Sequence, residues 1–217
     1  MRLVIGCALL VAALWGTTAH AQFGTGWQHS PNITVISREG DSRLDLVDEA
    51  ISFWNRTLED IGSAFRLRPV TRIVRPVPEE ALRSLSASVA QGFGRPVTMP
   101  QVIRDLPGDL TILLADSAFV SFASPFDSNW RRVVGIRGTS GPPLNLPNVA
   151  RNVIAHELGH AVGLGHNNDA SKLMCGRPAP CRPDIFRSDE PHFFPLTDDE
   201  RRRLLHMYPP DWRPRAS

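Results

Sequence analysis

The sequence predicts an α+β (α/β-like) domain built on a mixed, twisted sheet of four or five strands. Three observations carry this. The chain has 217 residues, enough for one ordinary domain. Short runs rich in β-branched residues alternate with longer segments whose apolar residues recur every three or four positions. One run, Leu110 to Ala115, is almost continuously apolar, as suits a central strand buried on both faces.

In order, Ile33 to Ser37 reads as the first strand, followed by the turn residues Glu39, Gly40 and Asp41. Leu44 to Leu58 reads as a helix, with Leu44, Val47, Ile51, Trp54 and Leu58 on one face. Phe65 to Ile73 is expected as a second strand, Glu79 to Val89 as a weaker helix, and residues 92–107 as loop. Asp109 to Ala115 and Arg132 to Ile136 are the next two strands. Pro147 or Asn148 opens a helix whose natural stop is Gly163. Residues 176–195, rich in proline and arginine, read as irregular. Thr197-Asp198-Asp199-Glu200 is a capping box that starts a closing helix through Tyr208.

Residues 1–21 read as a secretory signal peptide. Arg2 precedes an apolar run from Leu3 to Trp15, and Ala19-His20-Ala21 supplies the small–x–small cleavage pattern. The run is shorter than the ~20 residues that span a bilayer, so no stable membrane association is expected. Residues 22–217 then form a single domain in a secreted protein, periplasmic or extracellular. Its 24 basic and 22 acidic residues nearly balance, which argues against a nucleic-acid partner. Cys7 leaves with the leader, and Cys175 and Cys181, six positions apart in an exported chain, favour a disulfide over free thiols. Asn32 and Asn55 each open a triplet of the glycosylation-acceptor type.

The chemistry is concentrated in His156-Glu157-Leu158-Gly159-His160-Ala161-Val162-Gly163-Leu164-Gly165-His166. On a helix, residues four apart leave the same face, so His156 and His160 can reach one metal ion. Glu157 can then approach a water at that ion without being a ligand. Gly163 can take a conformation closed to other residues, end the helix and return His166 as third ligand. Three neutral nitrogens leave one tetrahedral position open, the arrangement of a catalytic rather than a structural zinc. From the chain's own 7 His, 8 Glu and 16 Gly, such a pattern arises by chance at on the order of 10⁻⁵ per chain, the risk to set against a motif reading.

This pattern, with Met174 eight residues after His166, resembles the metzincin zinc peptidases and in particular their matrixin branch. The resemblance implies a C-terminal subdomain from about residue 167 to 208 that closes a cleft against an N-terminal subdomain. It implies that Met174 supports the site from a turn beneath it, and that Asp199 and Glu200 tie the closing helix to that turn and to the N-terminal segment. It places Arg132 to Ile136 at the sheet edge, where an extended peptide can add by main-chain hydrogen bonds. The implied activity is that of a zinc metalloendopeptidase with one catalytic Zn2+ and a peptide or protein substrate, in which Glu157 is the general base; the oligomeric state is not given by the sequence, and a monomer is the expectation. Two other functions fit the same ligands: an inactive zinc-binding module that recognises a protein or cell-wall partner, and a zinc exopeptidase. The sequence gives no support for a calcium requirement.

Three departures set the chain apart. Position 176 is glycine rather than the tyrosine of the astacin type. His29, His192 and His206 are too dispersed to predict a second zinc. No cysteine lies between Gln22 and His156, so no cysteine-bearing propeptide is recognisable. In matrixins the loop after the methionine forms the wall of the pocket beyond the cleaved bond. Here the expected Cys175–Cys181 bond and three prolines stiffen that wall. The rival is a Cys181 thiolate on zinc that holds the enzyme latent.

Overall fold

The computed structural model describes residues 25–91, 97–176, 181 and 183–215; the leader expected over residues 1–21 lies outside them. The elements are β1 (Ile33–Ser37), α1 (Arg43–Asp60), β2 (Val70–Val74), α2 (Glu79–Ala90), α3 (Gln101–Arg104), β3 (Leu110–Leu114), β4 (Phe122–Ala123), β5 (Arg132–Ile136), α4 (Pro147–Ala161) and α5 (Asp198–Met207). A single 3-10 turn spans Pro183–Phe186. Together they make a mixed α and β architecture around one five-stranded sheet, in the order β2-β1-β3-β5-β4. The first four strands are parallel, with Val35 beside Ile112 and Ile112 beside Val134. Parallel neighbours require crossovers, which α1 and the α2–α3 segment provide.

Alternation along the strands sorts side chains onto two faces. Val35, Leu110, Ile112, Leu114, Val134 and Ile136 pack with Val47, Ile51, Trp54 and Leu58 of α1 and with Ile154 and Leu158 of α4. Ile36, Leu113 and Val133 pack on the opposite side with Leu82 and Leu85 of α2 and Ile103 of α3. The central strands are thus buried on both faces, which explains their unbroken apolar runs. α1 lies against α4, and Trp54 Nε1 donates to the Ala155 carbonyl at 2.9 Å.

At the head of α1, the Arg43 guanidinium forms a two-pronged pair with Asp41 (2.9 and 2.6 Å). Arg43 Nη1 also donates to the carbonyls of Ala115 (2.7 Å) and Arg137 (2.9 Å), just past the ends of β3 and β5. Both residues are buried. Burial pushes the Asp41 carboxyl up, but hydrogen bonds from the Arg43 side chain and backbone, and then its charge, outweigh this and hold it below the usual carboxylate range.

Three expectations need correction, the first being the loop over residues 92–107, where Gln101–Arg104 form the single turn of α3. Arg132 to Ile136 is not the sheet edge: β5 lies between β3 and the antiparallel β4, with Ala123 opposite Val134, so β4 is the edge. Phe65 to Pro69 is not a paired strand either, because pairing to β1 begins at Val70 opposite Ile33. Phe65 and Leu67 are buried all the same, and Phe65 stacks on Tyr208 with centroids 4.1 Å apart. The Asn55 triplet has a structural use: its amide donates to the Leu67 carbonyl (3.0 Å) and accepts from the Leu67 N–H (2.8 Å).

Candidate metal centre

The segment that carries the histidines begins with Pro147, which needs no hydrogen-bond partner at the first helical position. Farther along α4, Asn148 and Asn152 stand one turn apart and sew the irregular segment before α5 to the helix. The Asn148 amide donates to the Phe186 carbonyl and accepts from the His192 N–H, both at 2.9 Å. Asn152 donates to the His192 carbonyl (2.8 Å) and accepts from the Phe194 N–H (2.9 Å). The backbone groups of Phe186, His192 and Phe194 thus find partners in side chains of α4.

The far end of α4 is fully capped. Gly163 has φ +106°, its N–H donates to the His160 carbonyl (3.0 Å), and the Leu164 N–H donates to the Gly159 carbonyl (3.0 Å). This pair of bonds is a Schellman turn, which only a residue free of a Cβ enters without strain. The remaining carbonyls find partners from distant segments. Trp27 Nε1 (2.9 Å) and Arg132 Nη1 (3.2 Å) donate to Ala161, Arg132 Nη1 also donates to His160, and the Tyr208 hydroxyl donates to Val162 (2.9 Å). Tyr208 in turn accepts from the Trp27 N–H at 2.9 Å. Arg132 is buried with its guanidinium 3.8 Å from the centroid of the Phe126 ring, a cation placed at the negative end of the helix.

His156 and His160 project from one face of α4, and the turn at Gly163 brings His166 back to them. Their Nε2 atoms are 3.1 Å (156–160), 3.2 Å (156–166) and 2.9 Å (160–166) apart. The Nδ1–H of His156 donates to the Leu173 carbonyl (2.7 Å) and that of His160 to the Leu164 carbonyl (2.8 Å). Both rings therefore direct an Nε2 lone pair at the common centre. Burial lowers His156 to about 4, with the His166 charge adding and the Leu173 carbonyl opposing. It also lowers His160 well below, and His166 below, the ordinary histidine value. All three are neutral at pH 7, the form that ligates.

Three lone pairs facing one another repel unless a cation sits among them. Nitrogens at ~2.0–2.1 Å from one tetrahedral ion lie ~3.3–3.4 Å apart, close to the separations found here. The three histidines can hold a metal ion. Among the described residues no other group of three or more His, Cys, Asp or Glu meets that criterion.

Glu157, on the same helix, is buried and accepts a hydrogen bond from the Ala123 N–H of β4. Burial raises its carboxyl to about 8, and the Ala123 bond pulls the other way. Met174 is fully buried beneath α4, where its thioether fills the space that a Cβ on Gly159 would occupy. Its carbonyl accepts from the Asn167 N–H (2.9 Å), and the Gly176 N–H donates to the Asn167 carbonyl (3.0 Å). The Asn167 amide reaches Glu200 Oε1 (2.7 Å), while Glu200 Oε2 accepts from the Thr197 N–H (2.8 Å) in the capping box of α5. The closing helix is thus tied to the segment that carries the third histidine. Asp199, by contrast, pairs with Arg202 and Arg203 on the surface.

Cys175 and Cys181 form a disulfide, with Cα atoms 5.3 Å apart. Bonded to each other, neither sulfur is a thiolate. Sequence reasoning missed Trp27, Arg132, Tyr208, Asn167 and the packing roles of Gly159 and Gly176. Of these, only Arg132, a lone charge opening an apolar strand, left a mark in the sequence. A cavity of about 470 Å³ between α1 and the segment before α5 is lined by Asp45, Asp48, Glu49, Arg151, His192 and neighbours, and contains none of the metal-site residues. No helix among the described residues is long and apolar enough to cross a membrane. No protein-family model matches the chain, and no curated protein matches it.

Proposed function

We propose that the protein is a zinc-dependent metalloendopeptidase of the matrixin type, secreted after cleavage near Ala21. The observation that carries this reading is the convergence of three neutral imidazoles to within 3.2 Å, on a helix that also bears Glu157. His156, His160 and His166 would hold the zinc ion. When bound, zinc supplies a Lewis acid that polarises the substrate carbonyl and acidifies a water molecule. Glu157, its carboxylate favoured by the charge of a cation held by the three histidines, would accept the proton of the attacking water and pass it to the amide nitrogen as the C–N bond breaks. Mere binding has no need of a carboxyl at this position. β4 supports the assignment, because it leaves an unpaired sheet edge beside Glu157, onto which an extended peptide can add as one more strand. The disulfide suits an oxidising compartment.

The test is cleavage of an unfolded protein with and without a chelator, fragments being mapped by mass. Internal cuts that disappear with chelation and return with zinc are expected. Trimming from one end would instead indicate an exopeptidase, and no cutting with zinc bound would indicate a recognition module. Glu157→Gln should keep zinc and lose about 10²–10⁴-fold in turnover; parent-like turnover in this variant would refute the role given to Glu157.

A further inference from the structure

His156 and His160 each have a carbonyl to orient the ring, but His166 has none among the described residues. It is also the exposed member of the trio and sits on a loop between Gly165 and Asn167. Something else must fix it. A Cβ built on Gly176 would overlap Cγ of His166 and lie 2.5 Å from its Nδ1 and Cδ2. The backbone of Gly176 is therefore pressed against the flank of the imidazole, closer than any residue with a side chain could come. Two tethers hold Gly176 there. Its N–H donates to the Asn167 carbonyl at 3.0 Å, next in sequence to the ligand. Its predecessor, Cys175, is bonded to Cys181.

We propose that Gly176 is a positioning residue for the third metal ligand, and that the Cys175–Cys181 bond keeps it in place, so that reducing this bond weakens metal binding. The inference rests on reading the three histidines as the metal centre, and it concerns how tightly that centre holds its ion. The tyrosine absent at position 176 acquires a reason: a side chain there would displace His166. Reduction by a phosphine delivers two electrons to the disulfide and breaks the S–S bond. Water supplies a proton to each sulfur, and the phosphine leaves as its oxide. Cys175 and Cys181 then separate as thiols, and among the described residues the segment that ends in Gly176 keeps only its backbone bonds to Asn167 and Lys172.

The experiment measures Zn2+ and Co2+ affinity of the full chain by competition with a chromophoric chelator, together with the visible spectrum of the cobalt form. Supports of a metal ligand are typically worth 10–100-fold in affinity. A loss of that size is expected on phosphine reduction of the parent, reversed by reoxidation, and in the Cys175→Ser/Cys181→Ser variant. Gly176→Ala, with its disulfide intact, should show a similar loss. In each case the cobalt spectrum should shift as one nitrogen leaves, a change that general loosening of the fold does not produce. Unchanged affinity in the reduced parent overturns the proposal. So does tighter binding with a sulfur-to-cobalt band, since a freed cysteine would then be ligating. Should reduction unfold the chain, Gly176→Ala decides, and parent-like affinity there overturns the proposal. None of these readings needs a substrate. A chain that shows the affinity loss but cleaves nothing refutes the peptidase reading alone, and a parent that binds neither ion refutes both.

Discussion

Replacing Gly159 by alanine sets two effects of known size against each other. In an exposed helix the change would stabilise by about 1 kcal/mol, because alanine loses less backbone freedom on folding. Here the new Cβ would overlap Met174 Sδ and lie 2.9 Å from Met174 Cε and Trp54 Cζ2. Methionine is flexible, but Met174 and Trp54 are both fully buried, so neither can withdraw into solvent. Inserting a methyl into so closed a core costs roughly 1–3 kcal/mol. Less the gain of about 1 kcal/mol, this leaves a net destabilisation of up to about 2 kcal/mol. Met174→Ala removes the nearer of the two obstructions, at its own cavity cost of about 2–5 kcal/mol, and opens space into which Trp54 can yield. In that background Gly159→Ala should be neutral or stabilising by about 0.5–1 kcal/mol, a coupling of 1 kcal/mol or more between the two sites. Urea unfolding of the chelator-treated protein, followed by far-UV circular dichroism, measures all four corners of the cycle. An equal cost of Gly159→Ala in both backgrounds would refute the view that the thioether is fitted against this glycine.

Tyr208→Phe keeps the stack on Phe65 but strands the Trp27 N–H and the Val162 carbonyl, both now partnered at 2.9 Å. At about 1–2 kcal/mol each, the loss is roughly 2–4 kcal/mol, or a fall in Tm of about 5–15 °C. A thermal scan showing a change below 1 °C would dismiss the capping role. Asp41→Asn leaves the Arg43 guanidinium buried without its carboxylate and should cost about 3 kcal/mol at pH 7. Because the folded Asp41 carboxyl lies below its unfolded value of about 3.9, the folded chain binds fewer protons. Its stabilisation is complete above pH ~4 and is lost as pH falls through the lower folded value. The acid limb of the stability curve should therefore flatten in Asp41→Asn, and a limb as steep as the parent's would contradict the pairing.

The elements that local periodicity specifies were legible in the sequence: β1, β3 and β5 as apolar runs, α1 through Val47, Ile51, Trp54 and Leu58, and α5 through its capping box. Sheet position was not, because β4 is two residues long and has no periodicity by which to displace Arg132–Ile136 from the edge. Phe65 and Leu67 carry a strand's alternation, yet their burial comes from packing, Phe65 against Tyr208 and Trp212, and not from pairing. α3 lies where a loop was expected, a single turn whose one buried residue, Ile103, is too little for a helical pattern. At the site, the ligand spacing was readable because a helix turn fixes it. The groups that close the end of α4 were not, since Trp27, Arg132 and Tyr208 meet there only through the tertiary fold.

The capping of α4 also bears on when the site comes into being. A chain is made from its N-terminus onward, and the histidine motif is complete well before Tyr208 has been added. Until then the Val162 carbonyl lacks its hydroxyl, and the N–H of Trp27, 181 positions earlier, has nothing to bond. The turn that returns His166 is thus closed by two groups 181 positions apart, Trp27 made before the motif and Tyr208 after it. A chain extended only as far as His166 carries the three histidines and Glu157, but not the hydroxyl that closes the end of their helix. The end of the helix that carries the three histidines is therefore closed only once Tyr208 has been made and has reached it.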